Sequence, residues 1–283
     1  ISTATINTIV GTQLSGNPSL AGVPSAVFQV GVAFASLGIG WAMDRMGRRW
    51  GLGVGYAAGI FGGVECVMGI IVQKFFTFLA GLVLFGIARA AMQMSRFTAA
   101  EVHPPDSRGR AISYIVLAGT VGSVLGPLFV GPSGRLAVQA GVDELVGPFV
   151  VGLVVFALCT LVILGFLRPE PREVAQEVDR LFPDTSLSEG VVRSIKQILS
   201  TPTIAVAIIV TVFGQVVMVM LMGITSLHMK DHQHDLDAIS LVFSAHTLGM
   251  FAFSILSGRL VDQWGRAPFI LAGAGILLVS CAM

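Results

Sequence analysis

Two charged turns of the same composition stand far apart in this chain. The first reads Gly40-Trp-Ala-Met-Asp44-Arg45-Met-Gly47-Arg48-Arg49, and the second Gly258-Arg-Leu-Val-Asp262-Gln-Trp-Gly265-Arg266 begins 218 residues later. Their residue types suit electrostatics rather than bond-making. An Asp at the end of a helix opposes that helix's own dipole, so it seeks the N-terminus of a neighbouring helix or an Arg. The Gly that follows turns the chain tightly, and the next Arg offers a planar fork to carboxylates or lipid phosphate. Gly40 and Gly258, a turn earlier, would let another helix come close.

A second set of polar residues is embedded in apolar sequence. Arg89 stands near the middle of a long apolar stretch, where an Arg costs about 2.5–3.5 kcal/mol on insertion scales. It is expected to face the protein interior, either touching an anionic solute or tuning ion coupling; the structural alternative is an Arg that pairs with an acid or caps carbonyls. Gln93 follows one turn later. Glu65 is the only acid well inside an apolar stretch, and it reads as a candidate proton carrier. Counted from the same ends of their helices, Glu65 and Arg89 differ in depth by about 10 Å, so a direct pair between them is not expected. Arg96, nearer a helix end, can snorkel to the surface. His246 could titrate near neutral pH, but a lone helical His more often serves as a hydrogen-bonded packing residue. His228-Met-Lys-Asp-His232-Gln-His234-Asp235 resembles a metal cluster only superficially, because no structural ligand spacing is met. No metal site, no G-x-x-x-x-G-K-[ST] loop and no H-E-x-x-H is found, and the glycines at 51, 53 and 55 have no strand before them. The chain reads as a non-enzyme without a cofactor.

These residues are held by elements whose nature follows from composition. Of 283 residues, 54% are hydrophobic and 12% charged, and the mean hydropathy is +0.84. A soluble globule needs far more polar surface than that. Nothing between Ile1 and Met43 is charged, whereas Arg168–Ser200 holds eleven of the 33 charges. Apolar stretches of about 20 residues cross a bilayer as helices. Nine spans follow: Ile1 to about Leu14, Ala21–Met43, Trp50–Val72, Phe75–Ala100, Ala111–Gly131, Leu145–Leu167, Thr203–Leu227, Ala238–Leu260 and Ala267–Met283, the first and last incomplete. The fold class is an all-α polytopic membrane protein. The chain begins inside one apolar stretch and stops inside another, the pattern of a piece of a longer protein. Glycines spaced small-xxx-small, at 55/59/63 and 122/126, should lie at helix contacts. Cys66, Cys159 and Cys281 read as small buried hydrophobes. A net charge of +1 gives no reason to invoke nucleic acid.

Lys and Arg in the loops after the even spans number twelve, against three (Lys74, Arg135 and Lys230) in the alternate loops. By the positive-inside rule the even loops are cytoplasmic, and so is the N-terminus of the whole protein. Residues 1–167 then form a first bundle of six spans, 168–202 a cytoplasmic linker of short surface helices that turns amphipathic at Val191–Leu199, and 203–283 the start of a second bundle. Six helices separate the two charged turns, so they share one orientation, as in a parallel repeat.

The turn closely resembles the G-x-x-x-D-R-x-G-R-R signature of the major facilitator superfamily of secondary transporters. The first copy matches every fixed position, while the second has Gln263 and Ala267 where basic residues would stand. Other segments resemble the family too: Arg89 with a displaced Gln93 in the fourth span, Glu101 and Arg108-Gly-Arg110 in the loop after it, Gly122, Gly126 and Pro127 in the fifth span, and Arg168-Pro-Glu-Pro-Arg172, which is similar to a sugar-porter loop. The resemblance implies two pseudo-symmetric six-helix bundles that rock about a central site. It implies that the charged turns, with Glu101 and Arg108, form networks closing the inner side, and that Asp44 meets a helix N-terminus and Arg side chains of the opposite half. The implied activity is transport of a small organic solute by a monomer in the cell membrane, in contact with lipid and driven by an ion gradient, with protons the first candidate and the fifth-span motif tilting towards drug or metabolite export. The alternatives are a sugar-porter-like or other uptake transporter, and, in another class, a membrane enzyme acting on a lipid-linked substrate.

Overall fold

Glycine and proline decide where this chain turns. The computed structural model of the protein describes residues 2–182, 200, 202–252 and 266–282. These residues form helices and, among them, no strand: α1 Ser2–Ser15, α2 Val23–Met46, α3 Arg48–Ile71, α4 Phe75–Glu101, α5 Arg108–Leu128, α6 Val130–Gln139, α7 Val146–Phe166, α8 Pro171–Leu181, α9 Pro202–Asp231, α10 Leu236–Ala252 and α11 Arg266–Ala282. Six described helices are long and apolar enough to cross a membrane, and two shorter apolar stretches lie at Leu236–Met250 and Ala267–Ser280. The outward surface matches that reading. Phe34, Leu37, Phe76 and Phe166 stand 76–83% exposed, an arrangement that water penalises and hydrocarbon does not. The chain is an all-α, multi-pass membrane protein.

α3 and α4 pack most closely of all the described helices, with α2 on α4 and α7 on α3. Glycines on α3 permit this. A Cβ at Gly59 would lie 2.6 Å from the Phe156 ring of α7, one at Gly63 would lie 2.7 Å from Leu153 of α7, and one at Gly62 would lie 2.8 Å from the Gly81 carbonyl of α4. Gly122, by contrast, has nothing within 4 Å, so the close approach expected on the fifth span is not made there. A Gly59→Leu substitution should lower stability by about 1–3 kcal/mol through overpacking. A thermal melt equal to the parent's would show that α3 and α7 are not in contact there.

Two apolar clusters fill the interior. One, including Ile39, Met43, Leu52, Ala90 and Ala91, lies near the α2–α3 turn. The other lies at the far end, where Phe78, Phe85 and Phe149 meet Ile6, Val10, Val130, Leu236 and Ile239. Phe78 and Phe149 pack edge to face with ring centroids 5.4 Å apart, and Cys66 is fully buried beside them.

Boundaries differ from the sequence expectation in two informative places. The fifth span does not end at Gly131. Its helix breaks at Phe129 and resumes as α6 to Gln139. Pro127 and Pro132 each lack an N–H, so the hydrogen-bond ladder is interrupted between them, yet Ser133 N still bonds Phe129 O at 3.1 Å and restarts the helix. Arg135 therefore sits on a helix, not in a loop. The seventh span likewise runs past Leu227 to Asp231, carrying His228 and Lys230 at a helix C-terminus where cations are favourable; Gln233, with φ 62, lies just beyond the end. In the linker a helix forms at Pro171–Leu181, while Val191–Leu199 lies outside the described residues.

Candidate functional site

The α2–α3 turn consists of one residue. Gly47 has φ 90 and ψ 164, a conformation that is essentially glycine's alone, and it lets two antiparallel helices join with nothing else between them. That junction places Asp44 at the end of α2 and Arg48 at the start of α3. Arg48 Nη1 donates to Asp44 Oδ1 at 2.6 Å. Its other face forks onto Glu101 at the end of α4, through Nε to Oε2 at 2.8 Å and Nη2 to Oε1 at 3.1 Å. Arg48 is only 19% exposed against 74% for Asp44, so the Glu101 fork is the better shielded and stronger of the two.

A third carboxylate completes the arrangement. Glu170 precedes α8 and reaches back so that its Oε1 accepts from Arg48 N at 2.6 Å and Arg49 N at 3.1 Å. These are orphan N–H groups at the N-terminus of α3, where a negative charge is stabilised. Arg172 Nη1 donates to the Asp44 carbonyl at 2.9 Å, and Arg49 donates to the Leu164 carbonyl of α7. Arg108, at the start of α5, reaches Asp179 of α8 at 3.5 Å and the His103 carbonyl at 3.3 Å. Arg45 lies over the Trp41 ring, 5.3 Å from its centroid. Gly40 has nothing within 4 Å of an added Cβ, so the close contact expected there is not made. The helix at Pro171–Leu181 is thus tied to α2, α3, α4 and α5 at one end of the molecule. Among the described residues Asp44 meets Arg48, and the carboxylate on a helix N-terminus belongs to Glu170. Gly258, Asp262 and Gly265 lie outside the described residues. Arg266 opens α11, and its side chain also lies outside them.

The embedded polar residues are placed as follows. Arg89 is half-buried on α4, and its Nη1 donates to Met92 Sδ at 3.5 Å. Gln93 serves Arg96 instead of Arg89, accepting through its carbonyl at 3.1 Å and its Oε1 at 3.3 Å. Glu65 is half-buried on α3, and among the described residues no ion pair joins it to Arg89. His246 on α10 has a buried Nε2 with no hydrogen-bond partner. On the fifth span, Pro127 is buried, and the neighbouring Val124 carbonyl accepts from Ser244 Oγ of α10 at 2.9 Å, which joins α5 to α10. The rings of His228 and His232 lie against each other at a tilt of 44°, with centroids 4.1 Å apart.

Sequence reasoning assigned no role to Glu170, Arg172 or Asp179. A signal existed in Arg168-Pro-Glu-Pro-Arg172, since a proline at the first helical position marks Glu170 as the residue before a helix.

The sequence profile described as Major Facilitator Superfamily matches residues 1–283. The chain is 30% identical to YdeG of Bacillus subtilis (strain 168), an uncharacterized MFS-type transporter, over 98% of the chain and 64% of that protein. It is 25% identical to the riboflavin transporter RfnT of Brucella anthropi, over 96% of the chain and 65% of that protein. Against the 4-hydroxybenzoate transporter PcaK of Pseudomonas putida it is 32% identical over 36% of the chain and 22% of that protein. The chain spans just under two thirds of the length of the first two of these relatives. No solved structure matches it. The profile match, the helix pattern and the Gly47-centred turn agree: the chain belongs to the major facilitator superfamily.

Proposed function

We propose that the whole protein carries a small organic solute across a membrane by alternating access, driven by an ion gradient, with the proton as the coupling ion and export as the direction. The observation that carries this reading is the Arg48 cluster. It joins three helix ends, those of α2, α3 and α4, to the linker helix through Arg48, Glu101, Glu170 and Arg172, which suits a group of helices that moves as a rigid body. Relatives named as transporters of riboflavin and of 4-hydroxybenzoate support a small solute of organic character. Excess bases in the even loops support a cytoplasmic location for the cluster and for the N-terminus, and the plasma membrane is the setting we infer.

The test is solute flux into proteoliposomes holding the full-length protein, with and without an imposed pH gradient. Flux that rises with the gradient supports proton coupling, and accumulation indifferent to any ion gradient removes it. Arg89 gives a further expected outcome. Without a carboxylate partner among the described residues, it is available to an anion or to a coupling network. Arg89→Ala should lower initial flux by about tenfold, the equivalent of roughly 1.4 kcal/mol, while the protein still assembles and melts near the parent temperature. Parental flux in this variant would place Arg89 among residues that only pack.

A further inference from the structure

Bases are scarce at the end of the bundle opposite the Gly47 turn, and two of the three in those loops and helix ends are used in a specific way. Arg135 of α6 pairs with Asp237 at the start of α10. Lys230 at the end of α9 pairs with Glu144, which precedes α7, at 2.7 Å. Each pair has one member in the first six spans and one in the spans that follow the linker, so both cross the seam between the bundles. Backbone shape supports the first pair independently. The Asp237 carboxylate lies in the notch left by Gly131, where a Cβ would overlap it, and Arg135 stands one turn further along the same helix. The described bonds of the Arg48 cluster, in contrast, all lie within the first bundle and its linker.

We propose that Arg135–Asp237 and Lys230–Glu144 form a clasp that holds the two bundles shut at the end opposite the Arg48 cluster. The inference rests on the reading of the protein as an alternating-access carrier. The paired side chains are 38–62% exposed, so each pair is individually weak and screened by salt. The clasp therefore biases an equilibrium between closed and open forms and does not lock it. Residues beneath it, such as Ser240, which is 1% exposed, are shielded from water while it is closed.

The experiment introduces Ser240→Cys into the full-length protein in nanodiscs, where both faces are accessible, and follows its reaction with a soluble maleimide. A parent without the new thiol supplies the background from Cys66, Cys159 and Cys281. Slow labelling is expected, accelerated about tenfold when Arg135→Gln and Lys230→Glu remove both pairs. Adding Glu144→Lys to Lys230→Glu re-forms a pair of reversed sign and should bring the rate back towards its starting value, which a merely misfolded variant would not do. High salt should accelerate the starting protein but not the double variant, in which it only screens the repulsion between the carboxylates at positions 144 and 230. An unchanged rate in the double variant, no return with Glu144→Lys, or fast labelling at the outset would each overturn the clasp. No solute enters this assay, so its failure would leave the transport reading to be judged separately by flux.

Discussion

Replacing Arg48 by Leu is expected to lower both flux and heat stability, because one guanidinium holds carboxylates from two helices. The substitution removes the bond to Asp44 and both bonds to Glu101, while the backbone N–H groups still reach Glu170. Glu101 would be left at a partly shielded helix end without its Arg48 partner. Such a loss costs about 1–3 kcal/mol after allowance for solvent, enough to change the populations of two bundle arrangements by about tenfold. Arg48→Lys should recover part of this, since an ammonium can meet one carboxylate but cannot fork. The measurements are initial flux and melting temperature of the full-length protein. If Arg48→Leu transports and melts like the parent, the cluster does not hold the bundle together.

Gly47→Ala is expected to be worse for folding than any other single methyl added to this turn. At φ 90 and ψ 164 a side chain is strained by about 1–3 kcal/mol. The new Cβ would also stand 2.9 Å from Glu170 Oε1 and 3.0 Å from its Cδ. Relieving that contact moves the carboxylate off the N-terminus of α3 and forfeits its two backbone bonds. The combined cost is about 2–4 kcal/mol. Gly40→Ala is the matched control, because nothing lies within 4 Å of its Cβ position, and a surface change of that kind stays within about 0.5 kcal/mol. Equal melting temperatures for the two variants would contradict the single-residue junction.

What the sequence reveals here depends on range. Spans are local, so apolar runs placed α2, α3, α4 and α7 within a few residues of where they lie. The Asp44-to-Arg48 pair is also local, one helical turn across Gly47. Glu170 is different. It is 122 residues from Arg48, and its linker alternates acids and bases in a way that also describes neighbours pairing along one helix, as Arg180 and Glu177 do at 3.7 Å. Nothing in the spacing separates the acid that reaches away from those that stay home. The same holds for Arg135 and Lys230, whose partners lie 102 and 86 residues away. The fifth span failed for another reason: its composition changes at the prolines, but its helix restarts beyond them.

That restart has a mechanical consequence. The ten residues of α6 make a lever arm of about 15 Å beyond the Phe129 joint. A swing of about 20°, modest for a joint made by proline, carries its tip by roughly 5 Å. At Arg135, six residues beyond the joint, the same swing is about 3 Å, enough to part it from Asp237 while α5 keeps its Arg108 contact at the other end. A bend at Phe129 would thus be felt at Arg135 and not at Arg108, although both belong to the same span.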